Sequence, residues 1–242
     1  MSVSAAITAN QILTRVAAEV GLPYEPDPVG STLDEYLQLK ALLQTACEDL
    51  CLAYEWEFLV RSFEILTKVG DTNEYALPDD FSYFVPKTEW NHSTDEPIIP
   101  LTAQQWRAIL ASDITPINWS YRIFGGTMKV LPDPPSPNQI LKFEYISRFF
   151  IVKDDSGETP SDTIQSGSDK VLFDRTLVSR YLKYIWLDAK GFDSTSAGSA
   201  FDQIFSFLTG KDDSATTLNA GVKNRNFRLL TMANAPEEGY GR

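Results

Sequence analysis

The side chains that most often carry nucleophilic or metal chemistry are scarce in this chain, which holds one histidine, His92, and two cysteines, Cys47 and Cys51. A Ser-His-Asp or Cys-His centre would have to use His92, which lies in the polar run NHST and reads as a solvated loop side chain. Cys47 and Cys51 stand four apart in a helical pattern. A pair on one helix face is a poor disulfide and, with no further Cys or His nearby, a poor metal site. Both are therefore expected to be buried structural thiols. Carboxylate pairs are common, as in Glu55/Glu57, Asp79/Asp80 and Asp154/Asp155. Acid–base catalysis needs two carboxylates across a cleft with separated pKa values, and adjacency in sequence supplies neither. Gly125-Gly126 lacks the following helix and lysine of a phosphate loop. The expectation is a protein with no catalytic residue, no metal and no cofactor.

The pair Asp79/Asp80 sits in TNEYALPDDFSYF (72–84). Pro78 cannot donate to a β-ladder and holds Leu77 extended, so a strand must end there. The two acids then favour a tight turn, since their side chains bond nearby backbone N–H groups. Pro78, Asp79 and Asp80 are thus a corner, and the acids turn the chain.

The elements that would position these residues follow from pattern. The 242 residues are 43% hydrophobic and 12% aromatic, enough for one large domain or two small ones with a core. No apolar run is long enough for a membrane span, and the start lacks the basic region of a signal peptide, so a cytosolic origin is expected. Residues 4–20 read as a helix stopped by Gly21 and Pro23. After the turn-rich 22–30, Ser31 with Asp34 reads as a loose capping box. It opens a helix whose apolar stripe is Leu33, Tyr36, Leu37, Leu43, Cys47, Leu50 and Tyr54. The period changes to two at Phe63, so 63–69 and 72–77 read as a hairpin around Gly70-Asp71. A strand over 83–90 follows, then a helix over 103–111 opened by a Thr102/Gln105 capping box. Residues 121–124 and 127–131 read as a hairpin on Gly125-Gly126.

After the Pro-rich 132–137, 140–152 reads as one long strand and 153–169 as a flexible acidic loop. Helices resume from Lys170 to Gly191 and over 198–209, and 211–242 reads as an extended C-terminal tail. The fold class is α+β. The N- and C-terminal helices (1–60 and 170–210) form a bundle, and 61–152 forms an antiparallel β lobe with one inserted helix. Of the five tryptophans, Trp56, Trp106 and Trp186 fall on apolar helical faces, and Trp90 and Trp119 in or beside strand patterns. They read as core rather than as a carbohydrate-stacking surface.

Net charge is −12, unevenly placed: residues 1–120 hold 18 acids against 6 bases, and residues 121–242 hold 15 of each. An acidic surface repels DNA phosphates and argues against sequence-specific recognition; it either simply keeps the protein soluble or suits a wall along which DNA slides without sticking. In the tail, Lys223, Arg225 and Arg228 surround Phe227, Leu229 and Leu230, a segment fit to dock on a partner.

A long helix ending in Trp56-Glu57-Phe58, an amphipathic strand, the run Tyr75, Leu77, Pro78, Asp80, Phe81, and a later helix with Tyr181, Leu182 and Trp186 together resemble the head-to-tail adaptor proteins of short-tailed bacteriophages. The resemblance implies a structural virion protein of the neck or tail, assembled in the host cytoplasm. About twelve copies would form a ring between the portal protein and the tail nozzle, extending the channel through which genomic DNA passes. It also implies that the tail clamps the portal, with Lys223, Arg225, Phe227, Arg228, Leu229 and Leu230 as contacts. A virion-associated peptidoglycan hydrolase and a carbohydrate-binding tail module are the alternatives.

Overall fold

The computed structural model describes residues 7–70, 72–112, 116, 118–133, 135–154 and 157–212. The chain runs β1 (Ile7–Thr8), α1 (Ala9–Val20), α2 (Asp34–Ala53), a single 3-10 turn (Glu57–Leu59), β2 (Val60–Leu66), β3 (Glu74–Ala76), β4 (Phe81–Phe84), β5 (Trp90–Asn91), β6 (Glu96–Pro97) and β7 (Ile99–Pro100). It continues through α3 (Ala103–Ser112), β8 (Ser120–Phe124), β9 (Thr127–Leu131), β10 (Ile140–Ser147), β11 (Ile151–Val152), β12 (Pro160–Ser161), β13 (Lys170–Val171), α4 (Arg175–Ala189) and α5 (Thr195–Asp212). The class is α+β, as the pattern predicts.

Local chemistry sets the helix ends. Thr8 caps α1: its hydroxyl accepts from Gln11 N, and the Gln11 side chain accepts from Thr8 N. The helix therefore begins at Ala9 rather than at residue 4, and it stops at Gly21 in the left-handed region (φ 78°). At α2 the expected Ser31 capping box does not form. Ser31 Oγ accepts from Leu33 N instead, at 3.3 Å, and Asp34 and Glu35 occupy the first turn, where negative charge favours the helix dipole. The buried stripe of α2 is Tyr36, Leu39, Leu43, Ala46, Cys47, Leu50 and Cys51, while Leu33 and Leu37 stand about half exposed. α4 starts at Arg175, not at Lys170, because Asp174 Oδ1 accepts from Thr176 N and Leu177 N, and Lys170–Val171 pairs as a strand.

Strand partners depart most from expectation. β2 does not turn back onto 72–77. It pairs antiparallel with β10 over its whole length, from Val60↔Ile146 to Leu66↔Ile140, while β3 pairs with β9. A period of two states which face is buried but not which neighbour supplies the ladder. The strand expected over 83–90 divides into β4 and β5, with Lys87 at φ 70° between them. The strand expected over 140–152 ends at Ser147, and β11 joins a different sheet. The β8/β9 hairpin forms on Gly125 (φ 62°) and Gly126 (φ 80°), and the Thr102/Gln105 capping box opens α3, both as expected.

Among the described residues three sheets form. The first has order β1-β13-β11-β12; the second has β2-β10-β5-β6, with β4 also on β10; the third has β3-β9-β8-β7. The lobe is not wholly antiparallel, since β7 runs parallel to β8. Two apolar cores lie beneath these layers. One joins α1, α2 and α4 with β1, β11 and β13, and half-buried side chains of α5 pack on it. The other lies between the second and third sheets, around Phe143, Met128, Val130 and Leu141. β10 enters both cores, with Leu141, Phe143 and Tyr145 in the second and Ile146 in the first.

The segment 153–169, expected to be a featureless acidic loop, is anchored to the helical lobe. It contains β12, Ile164 is buried, and Asp169 (2% exposed) accepts from Gln165 N and Ser166 N at 2.9 and 2.8 Å. Asn10 locks this segment to the linker 22–30. Its N–H donates to Gly167 O, its Nδ2 donates to Asp27 Oδ1 at 2.8 Å, and its Oδ1 accepts from Val29 N at 3.0 Å. A Cβ on Gly167 would stand 2.1 Å from Asn10 Nδ2. Gly167→Ala is therefore expected to cost about 1–3 kcal/mol in urea denaturation. Adding Asn10→Ala should recover part of that loss, because the clash is gone once the amide is removed.

Candidate functional surfaces

The corner at 78–80 is a joint between strands. Phe81 N donates to Pro78 O at 3.0 Å, closing the turn. Tyr145 Oη donates to Asp80 Oδ1 at 2.8 Å, and Arg148 N donates to Asp80 O at 2.8 Å, so Asp80 fastens the corner to β10 and to the break after it. Asp79 is exposed. Burial, and then the bond to Asp80, push the Tyr145 phenol up to about 12. The two acids thus have different surroundings: one holds the turn in place and the other faces solvent.

A second carboxylate–phenol pair is buried inside the β lobe. Tyr121 Oη donates to Glu89 Oε1 at 2.7 Å, with both residues 6% exposed. Burial first, and then this bond, push the Tyr121 phenol well above its ordinary range. No pattern in the sequence marks Glu89, which stands alone between Thr88 and Trp90. Its burial depends on the strand break at Lys87 and on β8 crossing nearby.

The sequence candidates for chemistry fall apart in space. Cys47 and Cys51 are buried free thiols on α2, pushed up by burial, Cys51 to about 12. That environment keeps them protonated and poorly nucleophilic. His92 is exposed, with its backbone N–H given to Ile140 O. Among the described residues no group of three or more His, Cys, Asp or Glu is placed to hold a metal ion. Trp56, Trp106, Trp119 and Trp186 are buried and Trp90 is half-buried; Trp56 and Trp186 join the helical core and Trp119 the β-lobe core. Among the described residues no helix is long and apolar enough to cross a membrane.

Apolar groups face solvent at several places, among them the β8/β9 hairpin and α5. At the β8/β9 hairpin, Phe124 is 53% exposed, with the Arg122 guanidinium 5.4 Å and the Lys129 ammonium 5.8 Å from its ring centre. Lys129 also bonds Glu74 across the third sheet. The second of these is α5. Phe201, Ile204, Phe205 and Leu208 pack on the helical core, Phe201 stacking on Tyr181 at 4.5 Å, yet none of them is fully buried. Tyr54 Oη donates to Thr209 O at 3.4 Å, which holds the last turns of α5 near the end of α2. The proposed contact residues Lys223, Arg225, Phe227, Arg228, Leu229 and Leu230 lie outside the described residues.

No protein-family model matches the chain, and no curated protein matches it.

Proposed function

We propose that the protein is a structural adaptor of a short-tailed bacteriophage virion, a ring of about twelve copies that joins the portal protein to the tail nozzle and lines the DNA path. The observation that carries this reading is the arrangement of the lobes. Helices from both ends of the described chain share one core, with α5 packed on it, and a β lobe is inserted between α2 and α4. Such a plan lets the helical lobes stand side by side while the β lobe is left to meet a second partner. The corner at Asp80 supports a mechanical role, because its bonds hold strands together. The acidic balance of residues 1–120 supports a DNA path of low adhesion.

The test is the mass of the protein in solution, alone and after mixing with the portal ring, by light scattering and negative-stain imaging. A ring that forms on the portal, and fails to form when the chain is truncated after Asp212, is the expected result. Absence of any association between the full chain and the portal would overturn the adaptor reading.

A further inference from the structure

β2 is the outermost strand of the second sheet, and its seven residues pair with β10 without a bulge. Among the described residues no strand pairs with its other side. The direction of its backbone groups follows from the ladder. Thr67 N donates to Gln139 O, while on the far side of β10 His92 N donates to Ile140 O and Val85 N to Glu144 O. Odd-numbered residues of β2 therefore face β10, and Ser62, Glu64 and Leu66 turn their N–H and C=O groups outward. All three are exposed, Leu66 at 52%. Open edges of this length are usually blunted by proline, a bulge or a covering segment, because they invite another strand. Among the described residues none of these blunts β2, apart from the Arg61 guanidinium folded back on Val60 O at 2.9 Å; Glu64 pairs through one oxygen with Lys142 of β10 at 3.1 Å.

The chain carries a segment that matches this edge. Residues 225–231 read Arg-Asn-Phe-Arg-Leu-Leu-Thr, against Arg-Ser-Phe-Glu-Ile-Leu-Thr over 61–67. The pattern is the same at every position except that the central charge is reversed, Arg228 for Glu64. Laid beside β2 in the same direction, Phe227 would adjoin Phe63 and Leu229 would adjoin Ile65 on the core face. On the outer face Arg228 would adjoin Glu64 and Leu230 would adjoin the exposed Leu66. Opposite charges and apolar pairs at neighbouring positions stabilise a sheet, whereas a second copy of β2 folded antiparallel on the first about Glu64 would oppose two glutamates.

Reach favours the chain's own segment. The last turns of α5 are tied to Tyr54, six residues before β2 begins. Residues 213–224, extended, span up to roughly 40 Å.

We propose that residues 225–231 add to the second sheet as a parallel edge strand on β2 of the same chain, with Arg228 beside Glu64. This goes beyond the adaptor reading and does not depend on it. Should both hold, the free protein keeps its portal-contact residues parked on β2, and docking must release them.

Residue-resolved amide hydrogen exchange on the full chain, compared with the chain truncated after Asp212, tests the pairing. In the full chain the amides of Ser62, Glu64 and Leu66 are expected to exchange about tenfold or more slowly than in the truncated one. Phe63 and Ile65, bonded to β10, should stay protected in both and so report that the lobe is folded. In the untruncated chain Arg228→Glu should remove the protection, and Glu64→Arg combined with it should restore it. Equal exchange of Ser62, Glu64 and Leu66 in full and truncated chains would overturn the proposal. So would protection that appears only as protein concentration rises, which would assign the strand to a second copy. Portal binding by a full chain that shows no such protection would overturn this pairing while leaving the adaptor reading intact.

Discussion

Replacing Trp56 with alanine is expected to cost about 3–5 kcal/mol, the largest loss from any single truncation in the helical lobe. Trp56 is 4% exposed and follows directly on the end of α2. Its indole N–H donates to Leu50 O at 2.6 Å, tying the ring to the last turn of α2. Its ring meets Tyr54 at 5.0 Å, Phe58 at 5.8 Å, Phe173 at 5.8 Å and Phe205 at 6.1 Å. Those four partners belong to the end of α2, the turn into β2, the entry to α4, and α5. One side chain thus joins the β lobe's entry strand to three helices. Truncation removes the packing of all four and the indole's bond to α2.

Since α5 has no fully buried side chain among its described residues, it depends on contacts of this kind and should lose hydrogen-exchange protection before the rest of the lobe. Against a typical total of about 5–15 kcal/mol, the variant would be near the edge of folding at 37 °C. Trp56→Phe keeps most of the packing and should cost much less. A midpoint in urea unchanged by Trp56→Ala, with α5 still protected, would show that the cluster does not hold the lobes.

Alkaline pH is expected to destabilise the protein in a defined window. Three phenols bond carboxylates: Tyr121 to Glu89, Tyr145 to Asp80, and Tyr181 to Asp49. Burial is the larger cause and the carboxylate bond the next, and together they raise Tyr145 and Tyr181 to about 12 and Tyr121 beyond its ordinary range. An unfolded chain sheds phenol protons near the ordinary value of 10.0, whereas the folded chain retains them. The stabilisation is therefore fully present below pH 10 and is lost as pH rises toward 12, because the unfolded state binds fewer protons throughout that range.

Denaturant titrations between about pH 8 and about pH 11 should show stability falling above pH 10. Tyr145→Phe should lower stability at neutral pH by about 1 kcal/mol, for the lost hydrogen bond, and flatten the alkaline fall. Tyr121→Phe should flatten it further, at a neutral-pH cost of about 1–3 kcal/mol for leaving Glu89 without its partner in a buried site. Identical alkaline falls in the wild type and both variants would remove these phenols as the cause.

Much of this protein can be read from local chemistry alone. The stop at Gly21, the turn at Pro78-Asp79-Asp80, the Gly125-Gly126 hairpin, the Thr102/Gln105 cap and the buried thiols each depend on a few neighbouring residues. Backbone conformation and capping act over that range, so sequence by itself determined them.

Other features were decided by contacts between distant residues. Phe63 and Ile65 announce a strand, but only the lobe's packing chose β10 over 72–77 as its neighbour, because a hydrophobic period of two is equally satisfied by either. The stripe of α2 turned away from Leu33 and Leu37 because Leu39 and Leu43 enter the core shared with α1 and α4. Ile164 and Asp169 looked like members of an acidic loop until Gln44, whose Oε1 accepts from Ile164 N, and Ala9, whose N–H donates to Asp169 O, gave them partners. Glu89 and Tyr121, far apart in sequence, became a buried pair for the same reason: the free energy of burying the lobe's aromatic core outweighs the cost of drying one carboxylate, provided a phenol stands ready to donate to it.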